Sequence, residues 1–177
     1  VHIFFHTHYH ALQMEDRRIT GVILGNKDGL GILTGDFFID ATGDGDLCRL
    51  SGVPMAEKAD MQPMSLCFVL EGVDVTTPLL RDSIHHDGRG GKPSANAEIR
   101  EYLLQCVEQG KLRQFGGPWF NTLVQGGGIA VNVTRRAGNG ADRASLTAAD
   151  LQLREDMFTI VELLREKYPE FRKCSIV

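Results

Sequence analysis

Asp36-Phe37-Phe38-Ile39-Asp40-Ala41-Thr42-Gly43-Asp44-Gly45-Asp46-Leu47 reads as a buried apolar strand, Phe37 to Asp40, running into a small-residue turn and then a short helix. Ala41, Gly43 and Gly45 carry little or no side chain, and glycine tolerates positive φ, so main chain in this turn can approach a bound group. The following residues, Gly43-Asp44-Gly45-Asp46-Leu47-Cys48, fall one glycine short of the G-x-G-x-x-G phosphate fingerprint. Cys48 takes the place of the third glycine, and Asp44 and Asp46 would turn carboxylates toward a pyrophosphate, so that reading is rejected. Asp40, Asp44 and Asp46 supply too few oxygens for a hard cation and do not fit an EF-hand loop. A tight turn capped by Asp44 onto the helix N–H groups is the plain structural reading, and it coexists with a cofactor lying against the turn.

Upstream, the chain reads as a β-meander. Ile3 to Leu12 and Ile19 to Leu24 are strands around the polar turn Asp16-Arg17-Arg18. Asn26-Lys27-Asp28-Gly29 is a hairpin signal, after which Gly31 to Leu33 returns. Downstream the character changes near Val53. Ser65 to Leu70 reads as a strand and Asp87 to Pro93 as a glycine-rich loop. A helix spans Ser94 to Gln109 with Gly110 as its left-handed cap, and Phe115 to Thr122 and Gly128 to Thr134 are strands. A last helix starts at Thr147, where Asp150 approximates a capping box. It carries an apolar stripe at Leu153, Met157, Ile160, Val161, Leu164 and Tyr168 before Pro169 stops it. The expected fold is mixed α+β, with residues 1–53 a strand-rich block and residues 54–177 an α+β block.

Composition bounds the function classes. The chain has 177 residues, 42% of them hydrophobic, and a net charge of -4. That length suffices for a sizeable core. The mild acidity offers no footprint for nucleic acid, and no apolar run approaches the roughly 18 residues that span a bilayer. There is no initiator Met and no signal-peptide pattern, so the chain reads as an internal segment of a larger protein, with the remainder of that parent as a partner. Cys48, Cys67, Cys106 and Cys174 form no C-x-x-C pair and read as reduced core thiols in a cytoplasmic setting.

Four further features are candidates for chemistry. His6, His8 and His10 alternate, which points all three imidazoles to one strand face. Side chains two apart along a strand diverge from a tetrahedral centre, however, and no metal is assigned. His85-His86, beside the glycine-rich loop, reads either as a solvated pair or as a proton donor on a moving lid, with His86 the candidate catalytic group. Arg135-Arg136 follows a strand and reads either as a solvent-exposed basic turn or as guanidinium groups that hold a substrate carboxylate bidentately, with Arg135 the candidate catalytic group. Trp119, the sole tryptophan, reads as a core or interface anchor rather than a stacking platform.

The Asp40 to Leu47 run resembles the second nucleotide-contacting motif of FAD-dependent oxidoreductases, the turn that closes their dinucleotide-binding domain. Phe5-His6-Thr7-His8-Tyr9, Ser51-Gly52-Val53-Pro54, Met61-Gln62-Pro63-Met64-Ser65 and Val131-Asn132-Val133-Thr134-Arg135 extend the likeness. It is to the glutathione-reductase-like superfamily, with relatives among heterodisulfide-reductase-type and succinate-dehydrogenase-type flavoproteins. The resemblance implies a meander and an incomplete Rossmann-type unit of a FAD-binding domain over 1–53, followed by a substrate domain over 54–177. It implies that Tyr9, Ala41, Thr42, Gly43 and Asp44 lie against FAD, and that Asn132, Thr134 and Arg135 look toward the flavin. It further implies flavin-mediated hydride or electron transfer on a small-molecule substrate. With the pyrophosphate fingerprint absent, the chain alone is expected to hold FAD weakly or not at all and to be inactive. A non-catalytic interaction module of flavoprotein ancestry is the alternative, and self-association into a homo-oligomer stays open.

Overall fold

The computed structural model describes residues 1–56, 61–81, 84–85, 95–122 and 128–177, and its fold is mixed α+β. The chain divides into two units, Val1–Ala59 and Asp60–Val177.

In the first unit, β1 (His8–Glu15), β2 (Arg18–Asn26) and β3 (Gly29–Thr34) form an antiparallel sheet in that order, followed by the short helix α1 (Asp46–Leu50). Both hairpins rest on left-handed backbone, at Asp16 with φ 53° and at Gly29 with φ 107°. The second hairpin is held by the Asp28 N–H donating to Asn26 Oδ1 at 2.9 Å. Such turns match the right-handed twist of the flanking strands. Val22, 6% exposed, is the one fully buried large apolar side chain of this unit among the described residues.

Two expectations for this unit are corrected. Phe37 to Asp40 pairs with no described strand, and Phe37 and Ile39 are 93% and 90% exposed; apolar composition alone does not make a strand without a neighbour for its backbone groups. The histidines do not share a face. His6 sits before β1 in a turn with φ 52°, and His10 is the extra residue of a β-bulge between Tyr9 and Ala11, which breaks the two-residue alternation.

In the second unit, β4 (Cys67–Glu71) leads through α2 (Pro78–Arg81), β5 (Ile84–His85), α3 (Ala97–Glu108), β6 (Phe115–Thr122), β7 (Gly128–Thr134) and α4 (Arg143–Lys167) to β8 (Ser175–Ile176). The sheet order is β5-β6-β7-β4-β8, parallel only between β5 and β6. One sheet face supplies Phe68, Leu70, Phe120, Ile129, Val131 and Val133 to the core, where they meet Ile99 and Leu103 of α3 and Ile160, Val161 and Leu164 of α4. The helical residues recur every three or four positions, which places them on one stripe.

Helix starts are set by side-chain caps. Asn96 Oδ1 accepts from the Ile99 N–H at 2.9 Å while its amide donates to the Leu79 carbonyl at 2.7 Å. α4 begins four residues before the expected Thr147, because Asp142 accepts the Ser145 N–H at 2.7 Å. Asp150 instead pairs with Arg154 one turn along at 3.0 Å. The cysteine reading also changes in part: Cys106 and Cys174 are buried, whereas Cys67 is exposed and Cys48 half-buried.

Asp156 of α4 is buried and accepts from Arg113 at 2.7 Å and from Gln152 at 3.2 Å. Arg113 also reaches Glu155 at 3.1 Å. Replacing Arg113 by Met strips the carboxylate of its charged donor, and the half-exposed guanidinium limits the loss. The substitution is expected to lower the urea midpoint of unfolding modestly, measured by urea denaturation. No helix among the described residues is long and apolar enough to cross a membrane.

Candidate functional site

The Asp40–Asp46 turn is organised from within. The Asp40 carboxylate accepts the Thr42 N–H at 3.0 Å, the Thr42 hydroxyl at 2.7 Å and the Cys48 N–H at 3.0 Å. The Thr42 hydroxyl in turn accepts the Asp46 N–H at 2.9 Å, at the start of α1. Asp44 caps nothing: Gly45 occupies the N-cap position with no side-chain hydrogen bond. Four and two residues before Asp44, Asp40 and Thr42 reach free N–H groups of α1, which leaves Asp44 exposed at the tip.

These bonds act on the ionised form of Asp40. The Thr42 N–H first, then the Cys48 N–H and the Thr42 hydroxyl, lower its pKa from the ordinary 3.8 to about 2. A depressed carboxylate stabilises the fold fully above its unfolded pKa and loses that contribution as pH falls through the folded value. The turn is therefore expected to loosen between about pH 4 and pH 2. An NMR titration of the Asp40 carboxyl should show the low midpoint, and Thr42→Val should raise it.

Tyr9 of β1 comes to this turn. The Asp46 carboxylate raises the pKa of the Tyr9 phenol, chiefly through hydrogen bonding. Ala41, Thr42, Gly43 and Asp44 are all exposed beside it. Gly43 has φ 94°, and a Cβ built there would meet no described atom within 4 Å. Such open, bare backbone at Gly43 fits close approach by a FAD moiety.

The second unit carries a cavity of about 410 Å³ on the sheet face opposite the helices, within the roughly 300–1,000 Å³ of small-molecule sites. Gln62, Ser65, Trp119, Asn121, Asn132 and Arg135 line it, with Pro63. Trp119 and Asn132 are cross-strand partners, and Asn121 follows Trp119 by two residues on β6. Alternation turns all three away from the core that takes Phe120 and Val131.

Local structure explains the placement. A register irregularity between Phe115 and Trp119 is formed by Gly116-Gly117-Pro118 and anchored from α3, where Arg100 donates to the Gly117 carbonyl at 2.7 Å. Gly117 has φ 65°, and a Cβ there would lie 2.7 Å from the Asn132 carbonyl oxygen, so only glycine permits this approach to β7. A Cβ on Gly116 would lie 3.1–3.2 Å from the Arg135 guanidinium, which therefore rests against bare backbone. On the other side, Met64 and Arg136 exchange backbone hydrogen bonds at 2.8 and 2.9 Å, bringing Gln62 and Ser65 alongside. Arg135 and the amide side chains of the cavity make no hydrogen bond or ion pair among the described residues.

Sequence reasoning found some of this constellation. Arg135 lines the cavity with Asn132, whereas Thr134 is buried and exchanges hydrogen bonds with the Leu66 backbone at 2.8 and 3.0 Å, a structural role. Trp119 is half-buried at the cavity rather than in the core, which corrects the core half of its reading as a core or interface anchor. Gln62, Ser65 and Asn121 were missed; for Asn121 the available signal was its two-residue spacing from Trp119 across the buried Phe120. His86 and the 87–93 loop lie outside the described residues. His85 belongs to β5, in register with Asn121.

No curated protein and no solved structure matches the chain. The family model described as FAD dependent oxidoreductase matches residues 1–177. The turn that fits a cofactor and the polar cavity thus lie within one continuous match, and the chain belongs to the FAD-dependent oxidoreductase family.

Proposed function

We propose that the protein is an oxidoreductase that takes a small anionic substrate into the cavity on the outer face of β6 and β7, with Arg135 orienting its carboxylate. The observation that carries this reading is a guanidinium without any partner among the described residues, at the edge of a cavity whose amides are equally uncommitted. A planar fork of N–H donors matches a carboxylate in a way that a point charge does not. FAD, when bound, supplies the hydride or electron transfer. Tyr9, Ala41, Thr42, Gly43 and Asp44 are proposed to hold it, on the strength of their convergence at one exposed turn.

His86 is proposed as the proton donor. Its support is chain position: the preceding residue, His85, is in register with the cavity residue Asn121. A cytoplasmic setting is proposed on the free thiols of Cys48, Cys67, Cys106 and Cys174.

The test is anaerobic titration of the FAD-loaded full-length protein with a panel of small carboxylates and their neutral amides, read as loss of flavin absorbance. Bleaching by a carboxylate, absent with its amide and suppressed in Arg135→Gln, is the expected result. Bleaching that is indifferent to the carboxylate and to Arg135 would overturn the assignment of the anchor. A flavin that no substrate reduces would favour a binding module instead. His86→Ala is expected to slow bleaching while leaving flavin content unchanged.

A further inference from the structure

We infer that the cavity selects a sugar acid, a hydroxylated ring bearing a carboxylate. This rests on the reading of Arg135 as the anion anchor and goes beyond it to the body of the ligand. Among the described residues, Arg135 is the one charged group in the lining, with neither a carboxylate nor an ammonium beside it. The rest of the polar lining is neutral and two-sided: Gln62, Asn121 and Asn132 each offer an amide donor and a carbonyl acceptor, and Ser65 a hydroxyl. Groups that donate and accept together are matched by ligand hydroxyls, which do the same. A hydrocarbon acid would desolvate these amides and leave them unpaired, and sites built for hydrogen bonding reject such analogues strongly.

Register gives the arrangement. Trp119 and Asn132 face each other across β6 and β7, and Asn121 is the diagonal neighbour of Asn132. Diagonal neighbours lie roughly 7–8 Å apart, a distance that a six-membered ring and its hydroxyl hydrogen bonds bridge. The Trp119 indole, on the same sheet face, offers an apolar plane for the C–H face of that ring. Arg135 stands one residue beyond the end of β7, so the charge lies at one end of the amide pair, as a ring with one carboxylate substituent requires.

Trp119 is the only tryptophan in the chain, so its emission reports this cavity and needs no turnover. D-glucuronate, D-glucose and cyclohexanecarboxylate share a six-membered ring and differ in which recognition elements they carry; each is titrated against the protein by fluorescence and by calorimetry. D-glucuronate is expected to bind saturably and about tenfold or more tighter than either of the others. Asn132→Leu and Asn121→Leu should each shrink its advantage over cyclohexanecarboxylate, and Arg135→Gln its advantage over D-glucose. Cyclohexanecarboxylate binding as tightly as D-glucuronate, and weakened by Arg135→Gln, would overturn the sugar-acid inference while leaving the anion anchor standing. D-glucose binding as tightly as D-glucuronate would overturn the anchor itself, and binding by none of the three would overturn both.

Discussion

Replacing Arg135 by lysine is expected to weaken substrate binding roughly ten- to hundredfold, the equivalent of about 1.5–3 kcal/mol for a hydrogen bond to a charged group. Lysine keeps the charge but loses the planar fork, so the size of the loss measures bidentate geometry rather than electrostatics alone. The flavin spectrum should be unchanged. Gly116→Ala supplies an independent route to the same effect: its Cβ would lie 3.1–3.2 Å from the guanidinium, which must then move. The obstacle is the far end of a flexible side chain, so fold stability should hardly change while affinity falls. Wild-type affinity in Arg135→Lys, measured by titration, would remove the anchor role. Normal affinity in Gly116→Ala would show that the guanidinium binds equally well from a displaced position.

In the full-length protein, Gly43→Val is expected to lower FAD occupancy by about tenfold or more, with thermal unfolding of the Asp60–Val177 unit unaltered. Two effects of the substitution must be separated. At φ 94° a β-branched residue is strained, at a cost of about 1–3 kcal/mol. Its Cβ also enters space that no described atom of this chain occupies within 4 Å. Gly43→Asn distinguishes them, because asparagine tolerates positive φ far better yet carries its Cβ into the same space. Loss of flavin absorbance in both variants is the expected result and assigns that space to the cofactor. Loss in Val alone would mean that only the backbone conformation matters, and retention in both would leave the turn with a purely structural role.

What was legible in the sequence follows from how local each signal is. The strands Phe115 to Thr122 and Gly128 to Thr134 were read with the bounds they have, the second because its apolar residues alternate with the two-residue period of a strand buried on one face. The Asn26 to Gly29 hairpin was legible because Asn and Asp favour turns and glycine accepts the positive φ that Gly29 adopts after the Lys27-Asp28 connection. The start of α4 was not. Asp142-x-x-Ser145 and Thr147-x-x-Asp150 are both plausible caps, and the choice between them depends on which carboxylate the folded loop brings to a free N–H. Asp40 and Asp44 posed the same problem in the turn, four residues apart with identical side chains, and only the path of the backbone decided for Asp40.

By itself, the sequence determined a mixed α+β chain, a meander leading into a turn with two glycines, and an arginine at the end of a strand. These are properties of periods, caps and glycines, which act over a few residues. Tertiary structure alone decided that Trp119, Asn121 and Asn132 stand on the sheet face opposite the helices, beside Arg135, Gln62 and Ser65. Alternation defines two faces of a strand but not which one a helix will cover. That choice is made by long-range packing, where α3 and α4 bury one face in the core and leave the other as a polar cavity.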